Sequence, residues 1–220
     1  VGYDLEGIKS EKIDTFLNTM QMQQIVEVFK NCKQYLLDHV DLFEMNKEDI
    51  EAIQPEICNS ATISTLHGCP PQEIERIAMH LITEKGYNTF IKCNPTLLGY
   101  EYARKTMDDM GYDYVAFGDF HFKDDLQYED AVPMLQRLMA VCKERNLEFG
   151  VKITNTFPVD DKQNEFQSEE MYMSGKSLYA LSMSVAEKLA KDFDGQLVFL
   201  TPVVLITSIL KESLIPESGL

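Results

Sequence analysis

The 220-residue sequence predicts an α/β fold built on parallel strands, and three observations carry that reading. Strand-like and helix-like segments alternate from about residue 60 onward. The helix-like segments each carry one apolar stripe at roughly 3–4 residue spacing. The strand-like segments are apolar runs that end in conspicuously polar residues, the pattern of buried parallel strands whose carboxyl ends face a ligand.

The elements follow in order. Residues 61–66 (ATISTL) are short, β-branched and apolar, as a buried strand should be. Pro70 and Pro71 open a helix, which tolerates proline in its first turn. Ile74, Ile77, Ala78, Leu81 and Ile82 form its apolar stripe, and Gly86 stops it. Residues 89–93 (TFIKC) read as the next strand, 97–110 as a helix ending at Gly111, and 112–117 (YDYVAF) as a third strand. A helix over 129–145 places Val132, Leu135, Leu138, Met139 and Cys142 on one side. Residues 149–154 (FGVKIT) form a further strand, and the helix 177–193 turns Leu178, Leu181, Val185 and Leu189 inward. Strands separated by helices imply parallel pairing through right-handed crossovers. The stretch before Pro55 reads as mainly helical, with Ile25, Val26, Phe29, Leu36 and Leu37 as its apolar side, and fits an elaborate crossover or insertion spanning about residues 10–55. An open doubly wound sheet and a closed barrel share this periodicity.

Composition narrows the function classes. The chain holds 36 acidic against 20 basic residues, which argues against nucleic acid and is otherwise a solubility feature. The five cysteines (Cys32, Cys58, Cys69, Cys93 and Cys142) lack CxxC spacing, so neither a disulfide framework nor a self-contained iron–sulfur site is expected; reduced thiols in a cytoplasmic protein fit. No run approaches the ~20 apolar residues of a membrane span. Val1 and the segment after it suggest a piece of something longer. Neither a GxGxxG nor a Walker motif is present.

Chemistry is expected at the strand ends. These read Thr65-Leu66-His67-Gly68-Cys69-Pro70, Lys92-Cys93-Asn94-Pro95-Thr96, Phe117-Gly118-Asp119-Phe120-His121 and Lys152-Ile153-Thr154-Asn155-Thr156. Buried Lys, Asn and Thr are costly unless they meet a ligand or each other. His67 and Cys69 are candidates for acid–base or thiol chemistry; the plainer reading is a helix entry, with Cys69 as a small hydrophobe. His67, His121 and Asp119 would serve a metal-dependent β/α-barrel lyase, although no third ligand has suitable spacing. Lys92 and Lys152 can bring charge to an anion or a reduced flavin, or else pair with Asp113 or Asp119. Ser174 and Gly175 precede the last helix, where free N–H groups favour anions; Ser174 as an ordinary N-cap is the alternative. Asp160-Asp161 reads as a solvated loop tip.

Five segments then carry a family resemblance: VGYDLEGIK, STLHGCPPQEIERIA, NTFIKCNPTLLGYEYARK, FGVKITNT and EEMYMSGKSL. Together, over residues 1–197, they resemble the N-terminal region of the family known as "putative selenate reductase subunit YgfK". The resemblance implies a partial TIM-type (β/α) barrel of the dihydroorotate/dihydropyrimidine dehydrogenase kind, with the N-terminal helical segment as an insertion. It implies a flavin- and iron–sulfur-containing oxidoreductase in which FAD, NAD(P) and 4Fe-4S clusters belong to other modules of the same polypeptide or complex. FMN and a small-molecule substrate would bind in the completed barrel. By position in the motifs, Lys92, Asn94, Lys152, Asn155, Thr156, Ser174 and Gly175 would hold the cofactor, and residues 65–70 would stand where such enzymes carry an Asn-x-Ser-Cys-Pro element. The substrate-binding asparagine of that element is absent here, which favours a second reading: a non-catalytic barrel that docks the electron-transfer modules.

Residues 198–220 depart from the family pattern, which there runs approximately Ile-Ser-Tyr-Ser-Gly-Gly-Ala-Asp and later Phe-Asp-x-Gly-Ile-Trp-Pro. The eight residues 200–207 (LTPVVLIT) can be written CTT-ACT-CCG-GTG-GTG-CTG-ATT-ACT. Read from each third base, this gives Tyr-Ser-Gly-Gly-Ala-Asp-Tyr, and residues 214–220 (LIPESGL) give Asp-Ser-Gly-Ile-Trp-Pro in the same frame. The tail is therefore expected to be a frameshifted reading of a family sequence. The chain as it stands is then expected to bind no flavin and to be inactive.

Overall fold

A computed structural model describes residues 3–21, 26–56, 58–65 and 67–200. Ile25, residue 66 of the first strand, and 201–220 of the tail lie outside the described residues. Among the described residues, the α-helices before Ser60 are α1 (Leu5–Ile8), α2 (Glu11–Met20), α3 (Glu27–Asp38) and α4 (Lys47–Ala52). Asp4 caps α1 through the Gly7 N–H, and Asn46 with Asp49 forms a capping box on α4. The helical expectation for this region holds, but α2 and α3 contribute no fully buried side chain; Phe29, Leu36 and Leu37 are half-buried. Polar ties hold α2 to the core. Lys85 pairs with Asp14 and donates to Asn18, and the Tyr87 hydroxyl donates to the Leu17 carbonyl at 2.7 Å.

The alternating region follows. It comprises β1 (Ser60–Ile63), α5 (Pro71–Thr83), β2 (Asn88–Cys93), a 3-10 turn (Pro95–Leu98), α6 (Tyr100–Asp109), α7 (Phe120–Asp124), α8 (Tyr128–Glu144) and β3 (Phe149–Ile153). An antiparallel hairpin, β4 (Phe157–Asp160) and β5 (Glu170–Met173), then precedes a 3-10 turn (Gly175–Leu178), α9 (Tyr179–Asp192) and β6 (Val198–Leu200). The parallel sheet has the order β1-β2-β3-β6. Spatial order follows chain order, with no reversal. A doubly wound sheet needs a switch point where the order reverses; an arc of a barrel does not. The described residues thus form a four-stranded arc of a barrel, open at both sheet edges.

Strand alternation sorts the side chains. Ile63, Ile91, Cys93, Val151 and Ile153 join the core built with α5, α8 and α9. The other face carries Thr62, Phe90 and Gly150 in one row and Lys92 and Lys152 in the next, because the register pairs Phe90 with Gly150 and Lys92 with Lys152. That second face would line the lumen of a closed barrel.

Two expectations are corrected. Residues 112–117 are not a strand. Only Phe117 of the segment is buried, inside an aromatic cluster of Tyr100, Phe122 and Phe157, while Tyr114 is exposed. The backbone, however, is drawn away from the sheet: the Arg104 guanidinium takes the carbonyls of Val115 (2.6 Å) and Tyr112 (3.1 Å). Asp160 is no solvated loop tip but the last residue of β4, while Asp161 accepts the Phe166 N–H at 2.8 Å. The hairpin itself lacked an Asn-Gly-type turn signal, since nine residues separate its strands.

Candidate functional site

The carboxyl ends of β1 and β2 converge on a network centred on a residue that the motifs did not single out. Asp125, immediately after α7, is 4% exposed. Its Oδ1 accepts the Gly68 N–H at 3.0 Å; its Oδ2 accepts the Asn94 amide at 3.0 Å and the Thr96 hydroxyl at 2.7 Å. Both oxygens lie within 3.0 Å of His67 Nδ1. Burial by itself would push this carboxyl up; the hydrogen bonds from His67, Thr96 and Gly68 outweigh it and hold Asp125 below the ordinary carboxylate range. Gly68 suits the turn doubly. It sits at φ +76°, and a Cβ there would run into the Asp124 carboxylate. Asp125 follows His67 by 58 residues and resembles many other acidic positions, so local pattern offered no means of finding it.

His67 is accordingly held with one ring nitrogen on a carboxylate. The Asp125 hydrogen bond raises its pKa above the ordinary histidine value, against the opposing effect of burial, and the charges of Asp125, Glu170 and Asp124 add to the rise. A second histidine is arranged in the same way. His121 Nε2 lies 3.0 Å from both oxygens of Glu170, and its ring centroid is 5.0 Å from that of His67. The remaining nitrogens, His67 Nε2 and His121 Nδ1, are buried without a hydrogen-bond partner among the described residues. Tyr172 of β5 stacks on His67 at 6.1 Å.

Beside this pair lies an open cleft of about 430 Å³, lined by Ser64, Thr65, His67, Asn155, Thr156 and Tyr172. Lys92 stands next to it, with Nζ 3.4 Å from Ser64 Oγ, and Lys152 occupies the adjacent strand position. Neither lysine has a carboxylate within ion-pair distance among the described residues, although the chain is rich in acid. The expected alternative partner Asp119 is taken by Lys123. Burial, and then the charge of Lys152, depresses the Lys92 pKa.

The other expected site residues separate from this cleft. Asn94 belongs to the Asp125 network, and its Oδ1 is buried and unpartnered among the described residues. Ser174 and Gly175 are exposed at the end of β5 and do not line the cleft; the Ser174 side chain makes no cap hydrogen bond. The Cys69 thiol is pushed up by burial and by Glu73, which disfavours a thiolate. With Asp119 paired elsewhere, no group of three His, Cys, Asp or Glu side chains among the described residues is placed to hold a metal ion, so the metal-dependent lyase finds no ligand set there. Among the described residues no helix is long and apolar enough to cross a membrane.

The His67–Asp125 pair has a pH signature. Its contribution from His67 is complete below the ordinary histidine value of 6.5 and is lost as pH rises through the raised folded value. Its contribution from Asp125 is complete above the ordinary value of 3.8 and is lost as pH falls through the lowered one. Urea midpoints measured across this range should therefore fall as pH rises above 6.5, and the decline should be absent in His67→Gln. A wild-type curve flat across that window would contradict the pairing.

Comparison with known proteins gives one consistent result. The family model described as "Oxidoreductase YgfK, N-terminal TIM-barrel domain" matches residues 1–200. Two curated Escherichia coli proteins, from strains K12 and O157:H7 and both named "Putative oxidoreductase YgfK", are 41% identical to the chain over 209 residues. The alignment covers 90% of this chain and 20% of each relative, so the chain spans about a fifth of their length. No solved structure matches it.

Proposed function

This chain belongs to the family of N-terminal TIM-barrel domains of the oxidoreductase YgfK, and from that premise we propose that its complete barrel binds a flavin, FMN, and a small substrate at the carboxyl ends of its strands. The observation that carries the reading is the lysine pair. Lys92 and Lys152 sit side by side on adjacent strands, on the face opposite the helices, with no carboxylate neighbour among the described residues. Two like charges at paired positions of adjacent strands are unfavourable by themselves and favour an anionic or electron-rich occupant. Ser64, Asn155 and Thr156 supply hydroxyl and amide groups around the same opening. The residues present fit the electron-rich edge of a flavin ring. The flavin, when bound, supplies the redox chemistry. The protein's own share is to orient the ring through Lys92, Lys152 and Asn155, to hold polar donors toward it, and to shield His67 beneath Tyr172. The same cations suit a small oxyanion, selenate among them, as substrate. Other modules of the longer polypeptide would exchange electrons with the barrel, using FAD, NAD(P) and 4Fe-4S clusters.

The test is direct. In a barrel continued through the remaining strands of the family pattern, Lys152→Ala and Asn155→Ala should each weaken flavin binding by roughly 1.5–3 kcal/mol, as expected for lost hydrogen bonds to a charged group. Titration monitored by flavin fluorescence would read the loss. Equal affinity in wild type and both variants would remove these residues from the site. A complete barrel with no flavin affinity would favour the docking role.

A further inference from the structure

The two lysines of the pair differ in their surroundings. Lys92 lies on β2, an inner strand between β1 and β3. Its register partner on β3 is Lys152, and neighbouring strands stand about 4.8 Å apart. On the other side Lys92 Nζ lies 3.4 Å from Ser64 Oγ, just past the end of β1. Phe90, buried and two residues earlier on the same face, makes the row beneath apolar together with Gly150. The groups flanking Lys92 are thus a cation, a hydroxyl and an apolar floor, with no carboxylate at ion-pair distance among the described residues. The side chain is half-buried, so its amine stays open to a small molecule. An ammonium is poorly stabilised in such a place. Burial, and then the charge of Lys152, hold Lys92 below the ordinary lysine range. That favours the free amine, whose lone pair is a nucleophile toward carbonyl carbon.

We propose that Lys92 is a nucleophile that captures a small 2-oxo acid as an iminium, with Lys152 holding the acid's carboxylate and Ser64 relaying a proton. The proposal rests on the flavin reading only in taking this cleft as the ligand site, and it gives the small substrate a chemical class. A 2-oxo acid carries a carboxylate and a carbonyl on bonded carbons, and two neighbouring amines match that pair. The ammonium of Lys92 first loses a proton to solvent. Its lone pair then adds to the carbonyl carbon; a C–N bond forms and the C=O π pair moves to oxygen. That oxygen takes a proton from the nitrogen through the Ser64 hydroxyl, giving a carbinolamine. The C–O bond breaks as the nitrogen lone pair closes C=N, and the hydroxyl leaves as water with the proton that solvent returns. In sum, one ammonium and one carbonyl give one protonated iminium and one water, and nothing is oxidised or reduced. Asn155 and Thr156, around the same opening, supply an amide and a hydroxyl for the departing oxygen.

Pyruvate is the probe. The 220-residue chain, without flavin, would be incubated with pyruvate and cyanoborohydride at neutral pH, then digested for peptide mass mapping. A single reduced adduct is expected on the peptide that holds Lys92, formed at least about tenfold faster than on the exposed Lys105 and Lys123. Lys92→Arg, which keeps the charge but has no nucleophilic amine, should abolish it. Lys152→Gln should slow capture of pyruvate and move the pH profile of Lys92 labelling upward, because the like charge that disfavours the ammonium is gone. A lysine with a merely structural role would move neither reading. Adduct spread evenly over the exposed lysines, or an unlabelled Lys92, would overturn the proposal on the wild-type chain alone, whether or not the variants fold. An unchanged rate and profile in Lys152→Gln would overturn the role of Lys152. None of these readings needs flavin. Their failure alongside intact flavin binding in the completed barrel would sink the carbonyl capture alone, and their success without flavin affinity would sink only the cofactor reading.

Discussion

Asp125→Ala should lower the stability of this fold by about 3–5 kcal/mol, the range for breaking a buried, hydrogen-bonded charge pair by removing one partner. The effect does not come from lost attraction alone. Deleting the carboxylate leaves the Asn94 amide, the Thr96 hydroxyl, the Gly68 N–H and His67 Nδ1 facing a cavity. Each unsatisfied buried group costs roughly 1–3 kcal/mol before relaxation, and the costs are not additive because they share one site. The residue also ties three segments together: the turn after β1, the turn after β2 and the end of α7. A urea denaturation curve would measure the loss. A change below about 1 kcal/mol, the size of an ordinary surface substitution, would mean that the network is wetter and looser than its geometry. As a contrast, Asp124→Ala, one residue earlier, should cost little, since Asp124 forms no hydrogen bond to these groups.

Restoring the shifted reading frame near Leu197 should convert a chain without flavin into one that binds it. The family match runs to residue 200, and the shifted tail is expected from residue 198. In that frame the tail recovers a Gly-Gly pair. Glycine lets backbone N–H groups approach a phosphate closely, and successive N–H groups form an anion-binding concavity. The sequence as it stands has Pro202, Val203 and Val204 there, and Pro202 has no N–H to offer. We propose that the tail is this frameshift. Among the described residues β6 stands at the edge of the sheet, with β3 as its one strand neighbour. Absorbance after incubation with FMN would compare the two chains, with stoichiometric binding expected only after restoration. Stoichiometric flavin on the 220-residue chain would refute the functional consequence. Coding DNA whose third bases cannot spell Gly-Gly-Ala-Asp would refute the shift itself.

Much of this was legible in the linear chain. Apolar spacing located α5, α8 and α9, and the short β-branched runs located β1, β2 and β3, because burial of one helix stripe or of a parallel strand leaves a periodic mark. The two lysines were legible for a related reason: a charged residue near the end of an apolar strand is costly unless it is used. The segment 112–117 reads as apolar as a strand, yet its carbonyls go to Arg104, to the Asp160 N–H and to its own Val115 N–H rather than to a neighbour in the parallel sheet. Cys69 and His67 stand two residues apart in sequence, yet the fold treats them oppositely, burying a thiol beside Glu73 and anchoring an imidazole on Asp125.

The sequence by itself determined the family, the parallel α/β class, the apolar stripes and the polar strand ends. All of these are local patterns or contiguous motifs, written within a few turns of chain. The tertiary structure alone decided that the strands run in chain order as a barrel arc, that Lys92 and Lys152 are neighbours, and that Asp125 holds His67 while Glu170 holds His121. Those pairings span 49 to 60 residues of sequence, between side chains whose types are individually ordinary. What makes them a site is desolvation and contact, and both come into being when the strand ends converge.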